Sequence, residues 1–504
     1  MREREGKRAT LGRTTRRDFL KAVAGAVAAA PLAGGRALAQ AQPAGTGKTP
    51  RNMIFIVADT FRADHLGCYG NTEVKTPNLD KLASEGVMFT NVYADGLPTI
   101  PCRRVYHTGK SIIPMKVHGG WIPIQPGRRT LAQILSAHGF ITGFIADTYH
   151  YFKPNMNFHT GFSSWEWIRG QETDRWQSGP RSKFDPKKHI PAHLRNPRYE
   201  ANMLQYLLNT QDRKGEEDYF CARSLRAGLK WLERNAEAER FFLFIDTFDP
   251  HEPWDAPKRF QQMYYNDYPY ERFLFGYGVN VKDIRPDDLP AIRGLYRAEV
   301  TFVDYWIGQF IDAVRKMGLL DDTIIVFSTD HGTHLGEEGC VQKTAGLLNS
   351  CVARLPLIVR HPDQSFAGKR IDALVSAKDY TATFLSLLGV EHKGKLDGEN
   401  FWDLVTGKRD RLHDFVLTEY SGFGAIRTEK WHYFQRVRKS DEFTLDYVKQ
   451  QGDKIKRGGP GIPHLYDLEK DPREQRNVAL ENLDVVAELQ RKLKQVHDVK
   501  KPSA

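Results

Sequence analysis

Cysteine is scarce in this 504-residue chain. It occurs five times, at Cys68, Cys102, Cys221, Cys340 and Cys351, and no pair has the C-x-x-C spacing. The odd count and the wide spacing indicate neither a disulfide framework nor a structural zinc site, although a single disulfide remains open. A composition of 40% hydrophobic and 27% charged residues excludes a disordered chain and a membrane channel.

Long apolar runs are also lacking. The uncharged run from Ala22 to Leu32 is shorter than the roughly 20 residues that a helix needs to cross a bilayer. It follows Arg16-Arg17 and precedes Ala37-Leu38-Ala39, an arrangement that resembles a twin-arginine export signal. We therefore expect a signal peptide at 1–39, a linker at 40–50, the twin-arginine export machinery as a partner, and a periplasmic or secreted protein with no membrane span after cleavage.

Acidic residues are in deficit, since 62 Asp and Glu face 73 Lys and Arg for a net charge of +11. Residues 1–39 carry six of those units, so the mature chain is only mildly basic and no nucleic-acid partner is expected. The stretch Arg169–Arg198, near Trp165, Trp167 and Trp176, holds eight basic and three acidic residues. It predicts a basic, aromatic rim that attracts an anionic or sugar-like substrate, or alternatively a solvated insertion.

Buried strands and helices alternate along the chain. Continuous apolar runs typical of parallel strands occur at Met53–Ala58, Gly143–Ala146, Phe241–Ile245 and Thr323–Ser328. Helical patterns lie between them, at Asn78–Glu85, Thr130–His138, Tyr219–Asn235 and Leu295–Met317. This order predicts an α/β fold, a doubly wound, mostly parallel sheet flanked by helices. We place that domain at 51–409, with an insertion without apolar rhythm at 165–215, and a small α+β subdomain at 410–504.

Two carboxylates and an imidazole follow predicted strands. Asp59 comes directly after the first run, and Thr329 alone separates Ser328, the end of the last run, from Asp330-His331. The carboxyl ends of parallel strands lie at one edge of a sheet, where ligands bind in open α/β folds. Oxygen and nitrogen donors there predict one divalent metal ion, with calcium, manganese, magnesium or zinc all suitable.

A second group of polar residues lies between Pro98 and Lys110. Pro101 suits the first position of a helix, which would place the Thr99 hydroxyl at its electropositive N-terminus. Arg103 lies one turn further on and has the forked geometry that binds a tetrahedral oxyanion. The alternative is that Thr99 only caps the helix.

These motifs resemble the sulfatases of the alkaline phosphatase superfamily. The resemblance runs from Asn52 to about Val478 and rests on these segments: Ile56–Gly70, Thr76–Asp80, Asp249–Pro253, Ser328–Gly332, Leu335–Lys343, Leu465–Leu468 and Asp471–Glu474. It implies that Asp59, Asp330 and His331 bind the metal. It also implies that Arg103, His251 and Lys343 contact the transferred group or the leaving oxygen.

The chain departs from that family at the nucleophile. Sulfatases carry Cys or Ser in Cys/Ser-x-Pro-x-Arg, which is oxidised to formylglycine, whereas alignment on Pro101 and Arg103 puts Thr99 there. Threonine has a methyl group on its β-carbon, so no formylglycine is expected, and Cys102 lies three residues too late. Thr99, bound to the same metal ion and activated by it, would instead resemble the nucleophile of the threonine-dependent phosphodiesterases and phosphoethanolamine transferases of the superfamily.

Two further departures concern sulfate recognition and the metal. Thr60 replaces a second Asp, and Ala146-Asp147-Thr148-Tyr149 replaces a Gly-Lys-x-His element, for which His150 is a shifted substitute. Asp246 and Asp249, beside His251, are candidates for a second metal or for turn and capping roles. The sequence thus predicts an exported hydrolase of phosphate, phosphonate or sulfate esters, acting on a small anionic ester or a sulfated or phosphorylated glycan. A non-catalytic oxyanion-binding protein and a phosphoryl transferase remain alternatives.

Overall fold

The computed structural model describes residues 50–115, 120–268, 272 and 274–498. The predicted signal peptide at 1–39 and nearly all of the linker lie outside the described residues. None of the described helices is long and apolar enough to cross a membrane. All five cysteines are free thiols.

The central sheet has eight strands in the order β11-β2-β10-β7-β1-β6-β4-β5. Their bounds are β1 Asn52–Ala58, β2 Val87–Tyr93, β4 Ile141–Ala146, β5 Ser164–Trp167, β6 Phe241–Thr247, β7 Thr323–Ser328, β10 Arg354–Arg360 and β11 Lys369–Ser376. Strand β1 is parallel to both β6 and β7, and only β10 is antiparallel to its neighbours. The predicted mostly parallel sheet is confirmed.

Helices flank this sheet and cover both of its faces. They are α1 Pro77–Ser84, α2 Thr99–Thr108, α3 Leu131–Ala137, α4 Pro197–Asn209, α5 Phe220–Asn235, α6 Lys258–Gln261, α7 Leu289–Lys316, α8 Ser350–Ala353, α9 Asp379–Leu387 and α10 Trp402–Val405. Three further helices, α11 Leu445–Gln450, α12 Gly452–Arg457 and α13 Leu483–Asp498, belong to a separate, smaller core. Strand β1 shows why its sequence is continuously apolar. Phe55 and Val57 pack into one core while Ile54 and Ile56 pack into the other, so every side chain is buried.

A second sheet has five strands in the order β15-β14-β13-β12-β3. They are β3 Gly96–Leu97, β12 Val416–Tyr420, β13 Phe423–Arg427, β14 Trp431–Arg436 and β15 His464–Asp467. Helix α13 packs on it through Val486 and Leu489 to form a third core. Because β3 pairs with β12, this small α+β unit takes one strand from the first hundred residues.

The segment 165–215 differs from the expectation of a stretch without apolar rhythm. It contains the 13-residue helix α4, capped by the Asn196 side chain, which accepts from the Tyr199 amide. Tyr199, Met203 and Tyr206 are buried along one face of that helix. The many charges around α4 hide this spacing in the sequence.

Candidate active site

Neighbouring strand ends bring the predicted metal ligands together. Asp59 follows β1 and Asp330-His331 follows β7, and these two strands are paired in parallel. All three residues are fully buried, and one ligand atom from each lies within 4.8 Å of the others. No other group of three or more acidic, histidine or cysteine side chains in the described part of the chain is so arranged.

The hydrogen bonds within this cluster orient oxygen and nitrogen atoms that can act as ligands to a metal ion. The Nδ1–H of His331 donates to the Gly332 carbonyl at 2.8 Å, which leaves the Nε2 lone pair facing Asp330 Oδ2 at 3.2 Å. Thr60 fixes the carboxylates, since its hydroxyl donates to Asp59 and its amide to Asp330. Asp59 Oδ2 is buried and makes no hydrogen bond to the described part of the chain, although Arg103 Nη1 lies 3.0 Å away.

Burial sets the protonation of these groups. It raises the pKa of Asp59, with Asp330 adding to the effect, and it raises the pKa of Asp330. It lowers the pKa of His331 to about 4, so the imidazole is neutral at pH 7. Two crowded carboxylates, one orphaned oxygen and a neutral imidazole lone pair suit a divalent cation with oxygen and nitrogen ligands.

Arg103 is the cation that these carboxylates contact. Its Nε and Nη2 atoms donate to the two oxygens of Asp246 at 2.9 and 2.8 Å, and its Nη1 pairs with Asp330 and Asp59. All four side chains are fully buried. The forked edge of Arg103, predicted to hold an oxyanion, is therefore used by Asp246. Three carboxylates facing one guanidinium leave an excess of negative charge that a divalent ion would offset.

The second-metal candidates have other partners. Asp246 accepts from Arg103, from the Tyr151 hydroxyl at 2.6 Å and from the Thr148 hydroxyl at 2.7 Å. Asp249 accepts from the Gln171 amide and from the backbone of Cys221. Within the described residues, Asp246, Asp249 and His251 do not form a compact group of ligand atoms like that of Asp59, Asp330 and His331, so the second metal stays a prediction.

Thr99 is the first residue of α2, and its hydroxyl lies 3.4 Å from His331 Nε2. Pro98 occupies the cap position and no side chain caps the helix, so the capping alternative for Thr99 is wrong. Pro101 stands at the third helical position rather than the first. Cys102 is buried, and burial raises the pKa of its thiol well above the usual value, which makes it a poor nucleophile.

A second cation reaches the site from a small hairpin, β8 His334–Leu335 and β9 Val341–Gln342. Lys343 follows β9, and its ammonium donates to His251 Nε2 at 2.5 Å and lies 3.4 Å from Glu252. His251 Nδ1 donates to the Glu252 carbonyl, so Nε2 is the acceptor. Burial lowers the Lys343 pKa, but Glu252 and Asp59 outweigh it and the net pKa is raised. Burial and Lys343 lower the His251 pKa, which keeps this imidazole neutral.

Two site residues were not predicted from the sequence. Glu252 is next to His251 in the segment Asp249–Pro253, which resembles the sulfatases, so its position in the site could have been predicted from that segment. Glu172 comes from the segment between β5 and α4 at a left-handed φ of 47°, and it accepts from the Tyr149 hydroxyl at 2.6 Å. Burial raises its pKa to about 7, with Glu252 adding to the effect. His150 is partly exposed, and its Nδ1 makes no hydrogen bond to the described residues.

Comparison with known proteins identifies the family to which the chain belongs. The Sulfatase family model matches residues 51–390, and the model of the N-sulphoglucosamine sulphohydrolase C-terminal region matches residues 336–499. The chain belongs to the sulfatase family and is a hydrolase of ester bonds.

Individual relatives share about a quarter of their residues with this chain. An arylsulfatase of Clostridium perfringens is 27% identical over 85% of this chain and 90% of its own length. An N-acetylglucosamine-6-O-sulfatase of Bacteroides thetaiotaomicron is 24% identical over 85% of this chain and 82% of its own length. The phosphonate monoester hydrolase of Agrobacterium radiobacter superposes with a TM-score of 0.68 at 23% identity, over 89% of this chain and 95% of that one. This last likeness shows the fold alone.

Proposed function

We propose that this protein is an exported, metal-dependent hydrolase that cleaves phosphate or phosphonate esters, or sulfate esters, with Thr99 as nucleophile. Its substrate is a small anionic ester or a sulfated or phosphorylated glycan, met in the periplasm or outside the cell. The observation that carries the proposal is the Thr99 hydroxyl at the start of α2, 3.4 Å from Nε2 of His331 in the predicted metal cluster.

Asp59, Asp330 and His331 would hold the ion, for which calcium, manganese, magnesium and zinc remain candidates. When bound, a divalent ion would lower the pKa of the attacking hydroxyl and offset charge on the transferred group. Arg103 keeps the carboxylates together and binds Asp246. The α2 N-terminus directs its backbone dipole at the same place.

Lys343 and His251 supply the acid side of the reaction. The Lys343 side chain is only 11% exposed, and its ammonium already donates to the neutral His251 ring. The pair therefore holds a transferable proton where a leaving oxygen can accept it. Thr99 gives up its hydroxyl proton to solvent as its oxygen bonds to phosphorus or sulfur, the bond to the leaving oxygen breaks, and that oxygen takes the proton held by Lys343 and His251. Water then attacks the same centre and returns one proton to the Lys343–His251 pair, and the Thr99 oxygen leaves and regains a proton from solvent.

The residue at position 99 favours phosphorus over sulfur chemistry. A formylglycine hydrate expels sulfate by collapsing to an aldehyde, and a threonine ester has no such route. The ester on Thr99 must be opened by water at the central atom, as in the threonine-dependent phosphodiesterases that the sequence resembles.

A panel of aryl phosphate monoesters, aryl phosphate diesters, aryl phosphonates and aryl sulfates, assayed with each of the four ions, tests the proposal. Thr99→Ala should lower turnover by about 10³-fold or more while the ion stays bound, and Thr99→Ser should keep a measurable rate. Thr108→Ala makes the same change at the other end of α2 and should be nearly silent. Undiminished turnover by Thr99→Ala would refute the nucleophile. Binding without turnover of any ester would indicate an oxyanion-binding protein, and transfer to added alcohols would indicate a transferase.

A further inference from the structure

A cleft of about 360 Å³ lies beside the second half of α2, outside the catalytic cluster. Its polar lining comes from Arg104, Lys110, Arg128 and Asp397, and Ile112 and Ile122 contribute to an apolar floor. None of the residues proposed for catalysis lines it. Its volume is within the usual range for a small-molecule site.

Arg104 is the unusual member of this lining. The residue is only 6% exposed, and its Nε is buried without a hydrogen-bond partner among the residues that the structure describes. Its neighbour Arg103 contacts three carboxylates, whereas Arg104 has no side-chain hydrogen bond or ion pair within the described ranges. A buried guanidinium is normally paired, because desolvating an isolated charge is costly. Burial and the nearby Arg128 lower the Arg104 pKa to about 10, as expected for cations without a counter-charge.

The remaining charges of the cleft do not supply that counter-charge. Asp397 accepts from the Lys110 ammonium at 3.0 Å and from the Ser111 amide at 3.1 Å. Lys110 and Asp397 therefore neutralise each other. Among the described residues of the cleft, Arg104 and Arg128 therefore contribute two positive charges that no carboxylate compensates.

We propose that this cleft is a second anion site, which binds a phosphate or sulfate group carried on a small organic molecule. Two guanidinium groups match the charge of a dianionic tetrahedral group and supply forked donors to its oxygens. The cavity is larger than one such group, and Ile112 and Ile122 offer apolar contact to the organic part. The proposal does not depend on the catalytic role of Thr99.

Calorimetry on the full protein with inorganic phosphate and with phenylphosphonate tests the site. Phenylphosphonate should bind more tightly than phosphate if the apolar floor contributes. Arg128→Gln, an exposed change, should weaken binding at this cleft by about tenfold. The Arg104→Gln/Arg128→Gln double variant should bind one anion fewer per chain than the unaltered protein. The loss of one bound anion is expected whether or not the catalytic site binds the same probe. The second anion site is therefore tested separately from the role of Thr99 in catalysis.

Arg129→Gln is the matched control, since Arg129 is the exposed neighbour of Arg128 and does not line the cleft. It should leave both affinity and the number of bound anions unchanged. Equal numbers of bound anions in the double variant and the unaltered protein would overturn the proposal. If the double variant does not fold, an affinity of Arg128→Gln equal to that of Arg129→Gln overturns it.

Discussion

Replacing Arg103 by methionine removes the charge on which three buried carboxylates depend. The guanidinium pairs with Asp59, Asp246 and Asp330, and all four side chains are 0% exposed. Methionine keeps much of the volume, so the main change is an uncompensated cluster of negative charge. Breaking a buried ion pair from one side costs about 3–5 kcal/mol. An unfolding entropy of about 2 cal/mol/K per residue over roughly 450 residues converts this to a Tm loss of about 3–5 °C.

The control is Arg62→Met, a buried arginine whose partners Asp64 and Glu337 have side chains 52% and 39% exposed. Solvent screens those partners, so the same change should cost less. Scanning calorimetry in chelator compares the two variants, and added divalent ion should recover more of the loss in Arg103→Met than in Arg62→Met. Adding Asp246→Asn to Arg103→Met should restore part of the Tm. Two results in chelator would refute the reasoning: an Arg103→Met protein with the Tm of the unaltered protein, or one whose Tm loss is no larger than that of Arg62→Met.

Three other predictions concern pH, the nucleophile and the metal. Burial raises the Glu172 pKa to about 7, so the protonated carboxyl stabilises the fold at pH 4.5 and this stabilisation is lost as the pH rises to 7. Glu172→Gln should therefore remove that fall in Tm between pH 4.5 and 7, and an unchanged Tm–pH profile would contradict this. Thr99→Cys creates the formylglycine motif, so in a host that oxidises such cysteines the ratio of sulfate to phosphate release should rise, with mass spectrometry checking the aldehyde. Chelation should lower both the Tm and ester turnover, and a protein indifferent to chelator would argue against the metal site.

The carboxyl-terminal sheet allows a separate pH test. Glu474 is buried against Arg427, with which it pairs at 2.7 Å, and His432 donates to it at 2.9 Å. Burial raises the Glu474 pKa, but its partners outweigh burial and the net pKa is well below normal. Burial lowers the His432 pKa, so Arg427 is the charged partner at pH 7. The lowered Glu474 pKa means that its contribution is present above about pH 4.5 and is lost as pH falls. The Tm difference between unaltered protein and Glu474→Gln should therefore shrink in acid.

The sequence by itself determined the features that depend on local pattern. Continuous apolar runs specified β1 and β7, because strands buried on both faces need apolar side chains at every position. Residues directly after such strands must lie at the carboxyl edge of the sheet, which located Asp59 and Asp330. The spacing from Thr99 to Arg103 placed both residues on one helix.

Only the tertiary structure decided which side chains meet. Asp246 takes the forked edge of Arg103 because β6 pairs with β1, a register that no local pattern encodes. Glu172 enters the site from the irregular stretch between β5 and α4, and Arg104 has no side-chain partner among the described residues although its neighbour Arg103 is fully paired. Adjacent helical positions point in different directions, so the partners of each side chain depend on the distant elements packed around the helix.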